Sequence, residues 1–404
     1  MMKRKIGRRR VLVGAGSATA LALSGGLLNT IVPRPAFSQG TGPDIGISKT
    51  TIKIGLSGGI TGAIAFASRQ FSGYMGSYFK KVNAQGGIHG RKLEFIVLDD
   101  GGKGDIALQN AQRLLQQDQV FVMTTIGTAT TAGILGYLTD QKVPLLFPGA
   151  YNTELVSPVR ANTFALYQPY EGQIAVLTKW AYRKFGAGTA VIVRANPPSF
   201  DLSAKSAAAT VQTNGGTAAA TLNTTYNQPE WASIAIRLKQ IKPDYIIVLT
   251  TASDMGRLWK ELSLQKALPR KAMLGISPLA DQAFLDAAGN TVPDGMIYAA
   301  VPGTVVQTAP EAQEARDLMP KEKMGIFGLE GVASAAVIAE ALRRVGPEPT
   351  RAKLIDLLAN KFEPYRLPFM DAAKSAPNHL MIQSVGVSTV KNGQFVPATK
   401  EFVL

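Results

Sequence analysis

Thr51-Ile52-Lys53-Ile54-Gly55-Leu56-Ser57-Gly58-Gly59-Ile60-Thr61-Gly62 opens the part of the chain whose reading decides the fold. Residues 51–56 alternate at period two, the pattern of a strand, and the glycine-rich run behind them marks a loop. Residues 68–85 then carry Phe71, Met75, Tyr78, Phe79 and Val82 at helical spacing, with Gly86-Gly87 as the stop. The next strand is expected over 92–98. The rhythm goes on with a helix over 106–117, a strand over 120–123, a helix from about 132 and a strand over 143–147.

A second series follows. Helices are predicted over 171–185, 201–213, 230–241 and 254–266, and strands over 189–193, 217–222, 244–250 and 272–275. Such alternation builds parallel sheets covered by helices on both faces. Two series predict an α/β protein of two doubly wound parallel-sheet lobes, with clefts at the carboxyl ends of the strands. Later segments add a strand over 296–300, a strongly amphipathic helix over 330–345, another over 350–359, and a hairpin turn at Lys391-Asn392-Gly393.

Composition narrows the function classes. The chain has 404 residues, 43 Lys+Arg against 28 Asp+Glu, a formal charge of +15, two histidines and no cysteine. The absence of cysteine removes disulfides, thiolate zinc sites, cysteine nucleophiles and a lipid-anchored cysteine. His89 and His379 alone cannot form a histidine-rich metal site. Apolar content of 46% with 18% charged residues fits a globular protein and excludes bulk disorder.

Much of the charge sits at the start. Lys3, Arg4, Lys5, Arg8, Arg9 and Arg10 precede an uncharged run of 22 residues, Val11 to Val32. Small residues at Ala36 and Ser38 then suit a signal peptidase, and Gly7-Arg8-Arg9-Arg10-Val11-Leu12 resembles a twin-arginine export signal. The expected reading is a signal over 1–38 cleaved near Ser38; an uncleaved membrane anchor is the competitor, because a run of ~18 apolar residues can span a bilayer. Val11-Leu12-Val13-Gly14-Ala15-Gly16 imitates a dinucleotide loop but lacks the third glycine and a following strand. Without residues 1–38 the chain keeps +8, spread with no long basic run, and nucleic-acid binding loses its support.

Several segments together resemble the type I periplasmic binding proteins of ABC importers, the leucine/isoleucine/valine-binding family. They are the 55–62 loop, Val82-Asn83-Ala84-Gln85-Gly86-Gly87-Ile88-His89-Gly90-Arg91-Lys92-Leu93-Glu94, Leu98-Asp99-Asp100, Pro144-Leu145-Leu146-Phe147-Pro148-Gly149-Ala150-Tyr151-Asn152 and Ala339-Glu340-Ala341-Leu342-Arg343-Arg344-Val345-Gly346. The resemblance spans 51–397. It implies two lobes joined by three crossings that close on a ligand like a Venus flytrap. The expected boundaries are a lead over 39–50, lobe 1 from 51–169 plus 302–379, and lobe 2 from 170–301 plus 380–404. Crossings are expected near Pro169-Tyr170, Val301-Pro302-Gly303 and Asn378 to Leu380.

The resemblance also implies site residues. Thr128 matches a hydroxyl that binds the ligand carboxylate, and Gly149 and Tyr151 match the backbone-donor and hydroxyl positions beside it. Read without the family, Thr128 or Thr130 would simply cap a helix. Relatives usually carry a smaller Thr or Ser at the position of Tyr151, so a phenol there narrows the pocket or stacks on a flat ligand. Tyr170 and Glu171 fall at the first crossing, and Phe200 where relatives place an aromatic wall; each can equally be hinge or core. Ser277 falls where amino-acid binders carry a glutamate for the ligand ammonium, which leaves Glu171, Asp254 or Glu330 as substitutes. Asp254 also reads as a favourable charge on a first helical turn. Phe66 and Arg69 follow the loop where relatives place a lid, though Arg69 equally fits a solvated helix face. Asp99-Asp100 reads as loop and cap chemistry, since neighbours at a strand end point apart.

No nucleophile elbow, phosphate loop or zinc-protease motif is present in the sequence. The expected protein is therefore a periplasmic solute-binding component without catalytic residues, cofactor or metal. It would capture an amino acid or related carboxylate and deliver it to an ABC permease, and a monomer is expected. Competing readings are a binder of an aromatic acid, amide or urea, an amide-type sensor on the same fold, and a hydrolase.

Overall fold

The computed structural model describes residues 44–196, 199–289 and 291–399, so the export-signal reading of 1–38 lies outside the described residues. Strands β1 (Thr51–Gly58) and β2 (Lys92–Asp99) are joined by helix α1 (Ala65–Ala84). After α2 (Gly104–Gln116) come β3 (Val122–Ile126), α3 (Thr128–Asp140), β4 (Leu145–Leu146) and β5 (Thr163–Phe164). These five strands form one parallel sheet in the order β2-β1-β3-β4-β5. The second series runs α4 (Tyr170–Phe185), β6 (Thr189–Ala195), α5 (Ser199–Thr213), β7 (Thr217–Thr224), α6 (Ala232–Ile241), β8 (Tyr245–Leu249), α7 (Ala252–Leu264), β9 (Ala272–Gly275), α8 (Gln282–Ala288) and β10 (Ile297–Pro302). The chain then adds α9 (Gln313–Arg316), α10 (Ile326–Val345), α11 (Arg351–Asp356), the hairpin β11 (Tyr365–Leu367) and β12 (Met370–Ala373), and finally β13 (Val385–Lys391) and β14 (Gln394–Pro397). The second sheet has the order β14-β13-β10-β9-β8-β6-β7, parallel except where β13 and β14 join.

The interior strands are apolar because helices cover both faces. β8 reads Tyr245-Ile246-Ile247-Val248-Leu249 and every residue is buried, as a strand enclosed on both sides requires. β3 is equally buried but contains Thr124 and Thr125. Those polar letters explain why the sequence suggests a strand ending at 123 whereas the strand continues to Ile126. Helix α10, though late in the chain, packs along α1 of the first series. Gly328 and Gly331 allow the approach: a Cβ on Gly331 would lie 2.3 Å from the Phe71 carbonyl oxygen.

Three segments pass between the sheets and lie side by side. Ala165 donates to the His379 carbonyl (3.0 Å), Met381 to Ala165 (2.9 Å) and Ile382 to Leu166 (3.2 Å). Gly303 donates to Ser384 at 3.1 Å. Adjacent crossings of this kind leave the sheets connected at one flank and free to differ in separation elsewhere. Among the described residues, no helix is long and apolar enough to cross a membrane.

Candidate functional site

A cavity of about 540 Å³ opens where the carboxyl ends of both sheets face each other. From the first sheet come Ala63 and Ile64 after β1, Gly101 and Gly102 after β2, Ile126 to Thr130 after β3, and Gly149 with Tyr151 to Glu154 after β4. From the second come Phe200 and Leu202 after β6 and Tyr226 after β7, with Tyr170 and Glu171 opening α4. Phe327 of α10 completes the wall.

The N-terminus of α3 is the polar feature. Its cap is Gly127, which supplies no side-chain hydrogen bond and has φ of +112°. That conformation excludes most residues, and a Cβ there would also sit 2.7 Å from Ile64 Cδ1. The first backbone N–H groups of a helix lack intrahelical partners, so those of Thr128, Ala129 and Thr130 remain as donors at the cavity. They favour an anion there through their own polarity and the helix dipole. Thr128 Oγ1 makes no hydrogen bond to any described residue, whereas Thr130 Oγ1 donates to Asp100 at 3.0 Å. Neither threonine caps the helix.

Asp100 anchors that corner. It is buried and also accepts from Ser57 Oγ and the Gly102 N–H, each at 2.7 Å. Burial pushes its carboxyl above the usual range, against these three donors. Asp99 turns away and accepts from Thr61 Oγ1 (2.7 Å), Thr61 N–H (3.1 Å) and Gly101 N–H (2.9 Å). The Thr61 hydroxyl is the main reason its carboxyl lies below the usual range. The pair is loop architecture, as its alternating directions suggest.

Aromatic rings form an arc along the other side. Tyr151 and Tyr170 stack with centroids 4.5 Å apart, Tyr170 meets Phe200 at 5.7 Å, and Phe200 meets Tyr226 edge-on at 6.3 Å. Burial holds the Tyr151 and Tyr170 phenols well above their ordinary value, and Tyr226 at about 12. The Tyr170 hydroxyl has no hydrogen-bond partner among the described residues.

Of the residues read from the sequence, Thr128, Gly149, Tyr151, Tyr170, Glu171 and Phe200 meet at this cavity. Two of them do so differently from expectation. The Gly149 N–H donates to Thr125 at 2.8 Å, so it is not a free backbone donor. The Tyr151 hydroxyl donates to Glu330, so only its ring faces the cavity. Ser277, Phe66 and Arg69 do not line it. Ser277 is buried, with its N–H on Gln173 Oε1 at 3.1 Å. Phe66 is half exposed beside Gly325, and Arg69 donates to the Ile60 carbonyl at 3.2 Å. Ala63, Ile64 and Ala67 take the place in the wall instead.

The three substitute acids separate cleanly. Asp254 is fully buried, 2.5 Å from Arg257, and accepts from the Asn227 N–H and two threonine hydroxyls at the start of α7. Glu330 is buried behind Tyr151, where burial, reinforced by Asp281, pushes its carboxyl to about 8 despite the tyrosine hydrogen bond. Only Glu171 reaches the cavity. Leu202, Tyr226 and Phe327 were not anticipated from the sequence. Tyr226 carries a signal in retrospect, as the aromatic residue just past a predicted strand; Phe327 follows a long irregular stretch and carries none.

The histidines are structural. His89 Nε2 contacts the Arg343 carbonyl at 2.9 Å, and His379 stacks on Phe164 while Nδ1 meets two carbonyls at 3.0 Å. No group of three potential metal ligands occurs among the described residues.

Two α/β lobes facing across a cavity with an open helix N-terminus define a binding protein for a small polar solute. The chain belongs to the periplasmic binding protein family, whose sequence profile matches residues 51–394. It is 22% identical over 316 residues to the leucine-, isoleucine-, valine-, threonine- and alanine-binding protein of Pseudomonas aeruginosa, covering 78% of this chain and 83% of that one. Among solved structures it resembles a branched-chain amino acid ABC transporter protein from Thermus thermophilus with bound valine, with TM-score 0.79, 15% identity and coverage of 89% and 97%. It is also similar to a solute-binding protein of an ABC transporter from R. palustris in complex with benzoate, with TM-score 0.74, 18% identity and coverage of 88% and 97%.

Proposed function

We propose that the protein is the exported, periplasmic solute-binding component of an ABC importer, capturing a small carboxylate-bearing solute and delivering it to the permease. The observation that carries this is the uncapped N-terminus of α3, with the free hydroxyl of Thr128, opening into a cavity walled by both sheets. A carboxylate docked there would take two or three charge-assisted hydrogen bonds. Micromolar affinity needs only ~8 kcal/mol net. The lobes, taken as 51–169 plus 302–379 and 170–301 plus 380–404, would close about the three paired crossings, ligand shifting an open–closed equilibrium. Residues 1–38 would direct export.

The aromatic arc favours a second reading within the same class, an aromatic acid, amide or urea in place of an aliphatic amino acid. Thermal-shift screening against amino acids, aromatic acids, amides and ureas tests both. A ligand at 100 times its dissociation constant adds ~2.7 kcal/mol of stability. Thr128→Val should weaken the response to a carboxylate without lowering the melting temperature of the empty protein. A flat response to every solute would remove the proposal.

A further inference from the structure

Building on the reading that the two lobes close about the crossings, we propose that Asp281 latches the closed arrangement. Its carboxylate, from lobe 2, sits on the first turn of α10 in lobe 1 and holds the lobes together before any solute enters. Asp281 is a positioning residue: neither it nor Gly325, which it meets, belongs to the cavity lining.

Each half of the contact is fixed within its own lobe. Asp281 follows the tight turn Ser277–Ala280 behind β9 and caps α8, its Oδ1 accepting from the Ala283 N–H at 2.9 Å. Helix α8 in turn packs on α7 of the second sheet. On the facing side, Gln70 of α1 pins the approach to α10. It accepts from the Gly325 N–H at 2.9 Å and donates to the Lys323 carbonyl at 3.2 Å.

Between these supports a buried acid meets an open helix end. Helix α10 runs for 20 residues from Gly325, a cap with no side chain to offer. Gly328 and Leu329 donate back to the Gly325 carbonyl at 3.1 and 3.4 Å. The N–H groups of Ile326 and Phe327 come too early in the helix to have intrahelical partners. Asp281 is only 2% exposed, and its Oδ2 has no hydrogen-bond partner of ordinary geometry among the described residues. A Cβ on Gly325 would stand 2.6 Å from that oxygen, so the carboxylate lies directly against the cap. Gly325 has φ of −90°, which any residue adopts; room for Asp281, not backbone freedom, is what calls for glycine there. A negative charge at this end of α10 is favoured by the helix dipole. Burial raises the proton affinity of Asp281, and Asp286 adds to the rise, whereas the Ala283 and Ile326 N–H groups and Lys323 oppose it. The turn it grips matters to the site: Phe327 lines the cavity, and Glu330, one turn on, accepts from Tyr151.

A distance measurement without solute tests the latch. The chain has no cysteine, so two nitroxide labels can be attached through Gln109→Cys on α2 and Lys205→Cys on α5, both exposed. Pulsed electron spin resonance then reads the separation of the lobes in protein stripped of solute by dialysis from urea. With no further substitution the shorter of two distances should dominate. Asp281→Ser and Gly325→Ala should each raise the ratio of longer to shorter distance by about 3- to 30-fold. Asp281→Ser keeps a capping hydroxyl for α8 but loses the charge and the reach to α10. Gly325→Ala leaves the α8 cap alone and pushes the carboxylate off from the opposite lobe, so loss of α8 cannot explain opening by both. The two together should open the lobes no further than the stronger single change, because the oxygen that the new methyl strikes is already gone. A dominant longer distance in the protein without these changes, an unchanged ratio in either variant, or fully additive effects overturns the latch and leaves solute capture standing. Solute capture fails separately, on a flat thermal-shift screen, whatever the distances are.

Discussion

Tyr151 donates its hydroxyl hydrogen to Glu330 directly behind the cavity wall. Glu330 is fully buried, and its second carboxyl oxygen has no partner among the described residues. Tyr167 donates to the backbone carbonyl of the same residue at 2.5 Å. Burial, reinforced by the nearby Asp281 carboxylate, pushes the Glu330 carboxyl up to about 8 despite the Tyr151 hydrogen bond.

This fixes the sign of a pH dependence. The folded value of Glu330, about 8, exceeds the ordinary 4.5, so the folded protein binds the proton more tightly than the unfolded chain. Its contribution is fully present below the ordinary value and is lost as pH rises through 8. The loss should be on the order of a few kcal/mol. Glu330→Gln, neutral throughout, should match wild type near pH 5 and be the more stable protein above pH 8. Urea midpoints measured against pH check this; equal slopes for both proteins would contradict it.

Tyr170→Phe isolates a ligand contact from packing. The ring keeps its stacking on Tyr151 and Phe200, and the hydroxyl it loses has no partner among the described residues. Stability should stay within about 0.5 kcal/mol. A hydrogen bond to ligand is worth about 0.5–1.5 kcal/mol net, so affinity for the best solute should fall roughly 3- to 10-fold. Thermal unfolding and calorimetry on the same preparation measure both; an unchanged affinity would place the hydroxyl away from the ligand.

Asp100→Asn should damage the site from behind. Three donors converge on the Asp100 carboxylate, from Ser57, Gly102 and Thr130. An amide offers one acceptor oxygen and turns two new donors toward them, leaving buried groups unpaired at about 1–3 kcal/mol each. The unfolding midpoint should drop, and because Thr130 belongs to the first turn of α3, ligand affinity should drop with it. Full affinity in the variant would show that the turn does not depend on Asp100.

The legible part of this protein is its alternation. Period-two runs such as 51–56 and apolar runs such as 245–249 register burial directly, and the helices between them follow from spacing. Boundaries blur where polar residues are buried: Thr124 and Thr125 read as loop but complete β3. The two-residue strands β4 and β5 are too short to carry a period. Within the site, the resemblance to the family pointed to Thr128, Tyr170, Glu171 and Phe200, and all four line the cavity. Direction was not legible. Whether the Tyr151 hydroxyl faces solute or Glu330 depends on a helix 179 residues later in the chain, and no local pattern records it. Ser277 illustrates the same limit, since its N–H is taken by Gln173 of α4.

Gly149 offers the sharpest test of how tightly the wall is packed. Its N–H pairs with the Thr125 carbonyl and its carbonyl accepts from Gly127, so its backbone offers a ligand no free donor. Its lack of a side chain is what matters. A Cβ there would stand 2.5 Å from Ile126 Cδ1 and 3.0 Å from the Phe71 ring. Phe71 is fully buried at the approach of α1 to α10 and cannot yield easily. Ile126 Cδ1 is the end of a flexible side chain that lines the cavity. Gly149→Ala should therefore cost about 1–3 kcal/mol of stability and weaken binding by pushing Ile126 into the ligand space. Ile126→Val removes the colliding methyl, at about 0.5–1.5 kcal/mol on its own. If the collision is the cause, the double variant is more stable than the sum of the single losses requires and recovers affinity. Additive losses would assign the effect to Phe71 and the helix pair behind it.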